Sequence, residues 1–478
     1  MQRSQLLNVF KLIWTGAQVA EQRRSSSADA AVCGLMFSYE RNDSDMIFAV
    51  YLVAALFILI LIGAPIFISM GVTTLLHFYE SGRLGAMIVL NQRLFDGLGS
   101  FPFLAVPMFL FAGEVMTRGG LTDRLIGLAQ AFIGHLRGGL AQVNILSSVF
   151  FGGISGSAFA DVAAIGSVLI PGMKREGYSP GFSGAVTAAS STLSPMIPPS
   201  IVLVIYGATF NVSIGALFAA GLAVAAFLAI AYMIVTYIIV RLGPEIPRHA
   251  KPNTVQLLGA LKRALPALLL PIIIMGGIFS GRFTATESAA VAAIYALFLC
   301  MVVYRTIRIR DLPKLFETAA ITSSAIALLV GVSIAFSYIM VQRDIPSTAM
   351  AALLGATENP FMIAGAIIFV LLIAGLFIDR NANILILGGI VIPIFVIELG
   401  FSQIHTAMII VMALGVGHLT PPVGGALLTA ALVGKVPVTS IIYSIWPYVL
   451  TKLAVTILII AVPVISEGLP RFFGLGGL

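Results

Sequence analysis

Polar and apolar positions divide this chain at Met46. From there to about residue 470, apolar runs follow one another with short polar joints. They lie at Met46–Met70, 101–117, 264–281, 285–304, 317–341, 359–378, 382–398, 403–434 and 438–464, with a more amphipathic stretch at 84–99 and a long rich stretch at 139–240. A helix needs about 20 apolar residues to cross a bilayer, so the pattern predicts an all-α polytopic membrane protein. Roughly a dozen hydrophobic segments are expected, several too short or too interrupted to cross simply. The first carries a break at Gly63-Ala64-Pro65, near one end.

Two later interruptions are sharper. Ser194-Pro195-Met196-Ile197-Pro198-Pro199-Ser200 and Gly417-His418-Leu419-Thr420-Pro421-Pro422-Val423-Gly424 both place doubled prolines where a helix should run on. Proline removes one amide donor and pushes away the carbonyl four residues earlier. The carbonyls of Ser194, Pro195, Gly417 and His418 are therefore expected to be released. Lipid cannot satisfy them, so such backbone must be buried in protein or line a cavity. Broken helices in corresponding places of two halves point to a transporter's ion and substrate site.

The halves can be laid over one another. Asp161 falls on Asn383, Gly166 on Gly388 and Pro171 on Pro393; after one residue of slack, Gly177 falls on Gly400, Ser179 on Ser402 and Pro198-Pro199 on Pro421-Pro422. Each repeat has a second polar interruption before its proline pair, Gly152-Gly153-Ile154-Ser155-Gly156-Ser157 in the first and Asp379-Arg380-Asn381-Ala382-Asn383 in the second. Such clusters suit the tip of a hairpin that enters the membrane and turns back. Tip and break together could surround one hard cation such as Na⁺, held through backbone carbonyls near Ser194, Pro195, Gly417 and His418 and through Ser or Thr hydroxyls. Half-helices starting at the prolines would present positive N-termini to an anion. Thr420 is placed to cap the second with Pro421 as its first residue; Ile197, in the same place of the first, cannot cap.

Composition narrows the class. Of 478 residues, 59% are hydrophobic and 10% charged, with a mean hydropathy of +1.05. The net charge of +7 is read as basic joints on a cytoplasmic face, not as a nucleic-acid surface. Arg241, Arg248, His249, Lys251, Lys262 and Arg263 precede two apolar segments, and Arg305, Arg308, Arg310 and Lys314 follow them. Both joints then face the cytoplasm, and the turn at Gly281-Arg282-Phe283-Thr284 faces outward; the 118–138 loop holds Arg118, Arg124, His135 and Arg137. The 241–263 joint divides a first half, 46–240, from a second, 264–470, with a tail at 471–478. Residues 1–45 hold five basic and five acidic residues and read as a poorly ordered, dispensable extension, with Met46 as the functional start. Cys33 and Cys300 support no disulfide framework or metal site.

Single ionisable residues carry competing readings. Asp161 is an intramembrane acid, which is functional by default, or a structural cap on its hairpin. Glu114 and Glu287 read as residues at segment ends. Arg380 pairs with Asp379 in the favoured reading, or meets a substrate carboxylate in the other. Gly153-Ile154-Ser155-Gly156 and His418 raise an intramembrane serine protease, but that leaves Ser155 without a counterpart in the second repeat. With no Walker A sequence and no His-Glu-x-x-His, ATP-driven or zinc chemistry is unsupported and no cofactor is expected.

The run Gly134-His135-Leu136-Arg137-Gly138-Gly139-Leu140-Ala141-Gln142-Val143-Asn144, with Ser155-Gly156-Ser157-Ala158 and Ala160-Asp161, resembles the large membrane subunit of tripartite ATP-independent periplasmic (TRAP) transporters. So do Ile197-Pro198-Pro199-Ser200-Ile201, Thr284-Ala285-Thr286-Glu287-Ser288-Ala289-Ala290 and Thr420-Pro421-Pro422-Val423-Gly424. The likeness covers about 46–470. It implies inverted repeats, an elevator mechanism in the bacterial inner membrane, and Na⁺-coupled import of an organic acid. It also implies two partners, a small four-helix membrane subunit and a periplasmic substrate-binding protein. A single-component Na⁺-coupled anion symporter is the alternative. The chain departs from the family at Gly388, where a proline is usual, at Gly425-Ala426-Leu427-Leu428, where a Leu-Phe pair is usual, and at His418 and Arg380.

Overall fold

A computed structural model describes residues 51–475, save 53, 61, 81–86, 244–249, 344, 357–358 and 422–423. The expectations for residues 1–45, Cys33, Arg248, His249 and Pro422 lie outside the described residues. Throughout the rest the chain is helical or turns between helices, and eight helices are long and apolar enough to cross a membrane.

Both repeats build the core. Helix α1 (Gly139–Ser155) and helix α2 (Ala158–Arg175) make an antiparallel hairpin. Helix α3 (Pro180–Ser191), a single 3₁₀ turn at Ser194–Met196 and helix α4 (Ile201–Phe210) form the broken helix, and α5 (Ile214–Leu242) follows. The second repeat has the same order. Its hairpin is α6 (Pro360–Phe377) and α7 (Arg380–Pro393), its broken helix is α8 (Gln403–Gly417) and α9 (Gly425–Gly434), and α10 (Val438–Ala461) closes it.

Matched positions carry matched local geometry. Gly177 and Gly400 both adopt positive φ, at 92° and 70°. Ser179 and Ser402 both cap the following helix through their hydroxyls, and Ser157 and Asp379 both cap the second arm of a hairpin. At the breaks, Met196 N donates to Leu193 O and Ile197 N to Ser194 O; Leu419 N donates to Val416 O and Thr420 N to Gly417 O.

The repeats interlock. α3 packs on α10, α9 on α2, and α5 on both α8 and α10. Small residues permit the closest crossing, as membrane helices commonly use: a Cβ on Gly181 would lie 2.3 Å from Ser440 O, and one on Gly184 would lie 2.6 Å from Ile441 Cδ1. Thr236 and Tyr448 hydroxyls meet at 2.8 Å between α5 and α10. Of an 18-residue apolar window within Pro180–Phe210, 83% is buried, against 28% of the one within Thr254–Phe279, which places the broken helix at the centre and the other at the rim.

Several segment boundaries move. The first apolar run does not stop at Met70: beyond Gly63-Ala64-Pro65 the chain re-enters a helix from Ile66 to Glu80. The polar 118–138 joint contains a helix, Leu121–Ile133, that buries Leu121, Leu125, Ile126, Leu128 and Ala129 on one face. The 264–281 segment begins ten residues earlier, at Thr254, where Asn253 and Gln256 form a capping box. Glu287 completes another capping box with Thr284, Glu114 pairs with Arg118 at 2.5 Å, and Cys300 is buried, its thiol 3.6 Å from Val115 O.

Candidate functional site

Gly156 turns the first hairpin with φ at 59°, and a Cβ there would lie 2.5 Å from Pro199 O. Glycine is required on both counts, the left-handed conformation and the close approach. A Cβ on Gly152 would lie 2.9 Å from Ser194 Cα, so the hairpin tip rests directly on the break.

Asp161 locks the two together. It is fully buried in the first turn of α2. Ser148 Oγ, on the first arm, donates to its Oδ1 at 2.9 Å, and Ser194 Oγ, at the break, donates to its Oδ2. The network runs on through Ser190 Oγ, 3.0 Å from Ser148 Oγ, to Asn144 Oδ1 at 2.9 Å; Asn144 Nδ2 then donates to Thr187 Oγ1 at 2.7 Å. One carboxylate among hydroxyl and amide oxygens is a donor set suited to a hard cation. Asn144, Ser148, Thr187 and Ser190 were not singled out from sequence. Polar residues repeating every three or four positions in otherwise apolar helices are the signal that would have found them.

The breaks differ from expectation. Neither half-helix begins at its prolines. α4 begins at Ile201, and Ser200 caps it by accepting from Leu203 N at 3.2 Å. α9 begins at Gly425 behind Gly424, which has no side chain to cap with. Thr420 faces the other way: its hydroxyl donates to Val416 O at 2.8 Å, closing the end of α8. The reason lies in the residues before proline, which are pushed out of the helical region. Ile197, at φ −86° and ψ 126°, is extended accordingly. The first repeat is thus capped and the second is not, the reverse of the sequence reading. Nor are all the expected carbonyls bare. Ser194 O accepts from Ile197 N at 3.3 Å and Gly417 O from Thr420 N at 3.0 Å, and Pro195 O accepts from the Ser200 hydroxyl.

In the second hairpin, Asp379 Oδ1 accepts from Asn381 N at 2.9 Å. Asn383 Nδ2 donates to Ala374 O at 3.1 Å and Ile378 O at 2.9 Å, tying one arm to the other. Gly417 lets α8 cross α6, since a Cβ there would lie 2.5 Å from Leu372 O. A Cβ on Gly424 would lie 2.7 Å from His418 O. Arg380 does not pair with Asp379: it is 3% exposed, and Nε, Nη1 and Nη2 have no hydrogen-bond partner.

The two tips meet over a cavity of about 260 Å³. Ser155, Gly156, Ser157 and Pro195 line it from the first repeat, Asp379, Arg380, Asn381 and His418 from the second, with Phe159, Ile201 and Val202 as apolar wall. Asp161, Ser194, Pro199 and Ser200 stand behind that wall around the first tip, and Asn383, Thr420 and Pro421 around the second; these do not line the cavity. Ser155 and His418 share it but make no catalytic pair. Ser155 Oγ accepts from Ser157 N at 3.4 Å, and His418 packs edge-on against Phe159, with ring centroids 5.4 Å apart. Two interlocked repeats, each a hairpin facing a broken helix, meet at one cavity, an arrangement that defines a membrane carrier.

Known proteins place the carrier. The family model "Tripartite ATP-independent periplasmic transporter, DctM component" matches residues 53–465, and the chain belongs to that family. A Pseudomonas aeruginosa protein named as a C4-dicarboxylate TRAP transporter large permease is 37% identical, over 80% of this chain and 89% of its own. Salmonella typhimurium YgiK, whose description gives no function, is also 37% identical, over 90% and 99%. A Vibrio cholerae sialic acid TRAP transporter large permease is 34% identical, over 87% and 96%. The fold resembles the crystal structure of the Alcanivorax borkumensis YdaH transporter, with a TM-score of 0.54 at 16% identity, covering 82% of this chain and 89% of that one.

Proposed function

We propose that this chain is the transporting subunit of a three-part importer in the bacterial inner membrane, and that it carries an organic acid anion through the cavity between the hairpin tips. The observation that carries the reading is Arg380, a buried guanidinium without a partner on the wall of that cavity. Arginine presents a planar fork matched to a carboxylate and is never deprotonated in proteins, so an unpaired one deep in the protein asks for an anion. The names of the relatives, a C4-dicarboxylate permease and a sialic acid permease, fit an acidic substrate. A periplasmic binding protein would deliver it, and a small membrane subunit would brace the lipid-facing rim.

The first repeat supports coupling to Na⁺. Asp161, Ser148, Ser190 and Ser194 gather oxygen atoms beside the tip, and a cation among them would strengthen the seal between hairpin and break. Because both tips touch the same cavity, the hairpins and broken helices would move as one body against the rim helices, in the manner of an elevator with inverted repeats.

Reconstitution tests this. The chain is placed in liposomes with its small subunit, and its binding protein is screened by thermal shift against organic acids. Uptake of the acid found, driven by an inward Na⁺ gradient, is expected only when all three proteins are present. Uptake by the chain alone would favour a single-component symporter, and uptake indifferent to Na⁺ would remove the coupling.

A further inference from the structure

A cavity of about 390 Å³ that shares no residue with the one between the hairpin tips lies between helix Leu121–Ile133 and the rim helix Thr254–Phe279. Gly120, Asp123, Arg124 and Gly127 line it from one side, Ala260 and Arg263 from the other. The neighbouring apolar runs fix its depth. The span Phe101–Arg118 ends just before Gly120, and the apolar run 264–281 starts directly after Arg263. Both ends sit where hydrocarbon gives way to headgroups. Arg263 closes the basic 241–263 joint, which puts the cavity on the cytoplasmic side.

The walls suit an anion. Arg124 is held in place: its Nη1 donates to Gly120 O at 2.8 Å, and its guanidinium lies 3.8 Å from the centre of the Tyr304 ring. The Tyr304 hydroxyl in turn donates to Arg263 O at 3.2 Å, which ties the two arginines to one aromatic side chain. Stacking on a ring leaves the other N–H groups of a guanidinium free to donate. The Arg263 side chain is exposed, and among the described residues no salt bridge joins Asp123 to either arginine. Two guanidiniums against one carboxylate leave one net positive charge, the complement of a phosphodiester. Glycine keeps the space open, since a Cβ on Gly120 or on Gly127 would meet nothing within 4 Å. Deeper in the membrane the rim helix exposes Leu265, Leu269 and Ile272, an apolar surface for acyl chains.

We infer that this cavity binds the headgroup of an anionic phospholipid from the cytoplasmic leaflet. Arg124 and Arg263 donate to its phosphate, and Asp123 accepts from a glycerol hydroxyl. Basic pockets between membrane helices on this face are suited to lipid headgroups, and arginine forks match phosphate oxygens. Helix Leu121–Ile133 packs on both α1 and the rim helix, so a lipid seated here clamps the first hairpin's support to the rim. The site does not depend on which solute the carrier moves.

Thermal unfolding of the delipidated full-length chain in detergent tests it with three probes. Dioleoylphosphatidylglycerol is the ligand, dioleoylglycerol has the same tails without the phosphate, and inorganic phosphate has the charge without tails. Phosphatidylglycerol is expected to raise the unfolding temperature, and neither of the others to do so. Arg263→Gln should raise the phosphatidylglycerol concentration needed by about tenfold, the loss of one charge-assisted contact. Lys262→Gln removes the same charge from the adjacent exposed position, which does not line the cavity, and should leave the response unchanged. Gly127→Leu keeps every charge but fills the cavity. It should weaken the response as Arg263→Gln does, while the lipid-free chain unfolds as wild type. The proposal is overturned if phosphatidylglycerol gives no protection, or if dioleoylglycerol protects as well. It is overturned too if Lys262→Gln weakens the response as much as Arg263→Gln, or if Gly127→Leu leaves it intact. Equal protection by inorganic phosphate would assign the cavity to a free anion and remove the lipid.

Discussion

Replacing Gly156 by alanine separates two costs that the structure allows to be estimated in advance. The first is conformational. A left-handed φ of 59° costs an L-residue about 1–2 kcal/mol. The second is steric: the new Cβ would lie 2.5 Å from Pro199 O and 3.3 Å from both Ile201 N and Ser200 Cα. All three belong to backbone, so no flexible side chain can yield. Restoring ordinary contact requires the tip to retreat from the break by roughly 1 Å, against core packing that admits few gaps. Gly400→Ala is the control, because φ there is 70° and nothing lies within 4 Å of the added atom. Both variants should lose the conformational share of stability, read as a fall in unfolding temperature of the purified chain. Only Gly156→Ala should also lose transport, by about tenfold or more in initial uptake rate, equivalent to about 1.4 kcal/mol at the site. If both variants transport equally well, close contact between tip and break is not needed for function, and the reading of tip and break as one site fails.

Ser148→Ala and Ser194→Ala each leave a buried Asp161 oxygen short of a donor, which should cost about 1–3 kcal/mol of stability. The Na⁺ activation curve should move to higher concentration in both; an unmoved curve would take the cation away from Asp161. Asn383→Ala should cost a similar roughly 1–3 kcal/mol by stranding the Ile378 carbonyl, Ala374 O still accepting from Ile378 N, without altering Na⁺ dependence. Thr420→Ala should cost about 1 kcal/mol through Val416 O, while Thr420→Ser, which keeps the donor, should behave as wild type in both unfolding and uptake.

What sequence could reveal followed from rules with one dominant physical cause. Unbroken apolar runs had to lie in lipid, and doubled prolines had to break a helix, so the class of protein, both breaks and the hairpin tip at Gly156 were legible. Cap assignments were not, because they depend on how far a break extends. Two successive residues ahead of prolines, Ile197 and Pro198, carry the extended backbone past the pair, so Ser200 takes the place that a rule placing proline at the first helical position gives to Ile197. Arg380 was assigned to Asp379 because they are neighbours in sequence, yet that carboxylate is turned back onto Asn381 N. Lys452, fully buried between Gly434 and the tail, was passed over as one charge in a long apolar run. The oxygen network of Asn144, Ser148, Thr187 and Ser190 involves α1 and α3, separated by about 40 residues, and only folding shows that they face one another.

Asp161 and Asn383 occupy matched positions, but their hydrogen bonds run in different directions. Those of Asp161 reach outside its hairpin to Ser194, whereas those of Asn383 end on Ala374 and Ile378, within its own. Tilting the first hairpin away from its broken helix must rupture a buried bond to a carboxylate. Tilting the second as a unit breaks neither bond made by Asn383. At this one matched position, then, the first repeat bolts its hairpin to its broken helix, and the second stitches the two arms of its hairpin together.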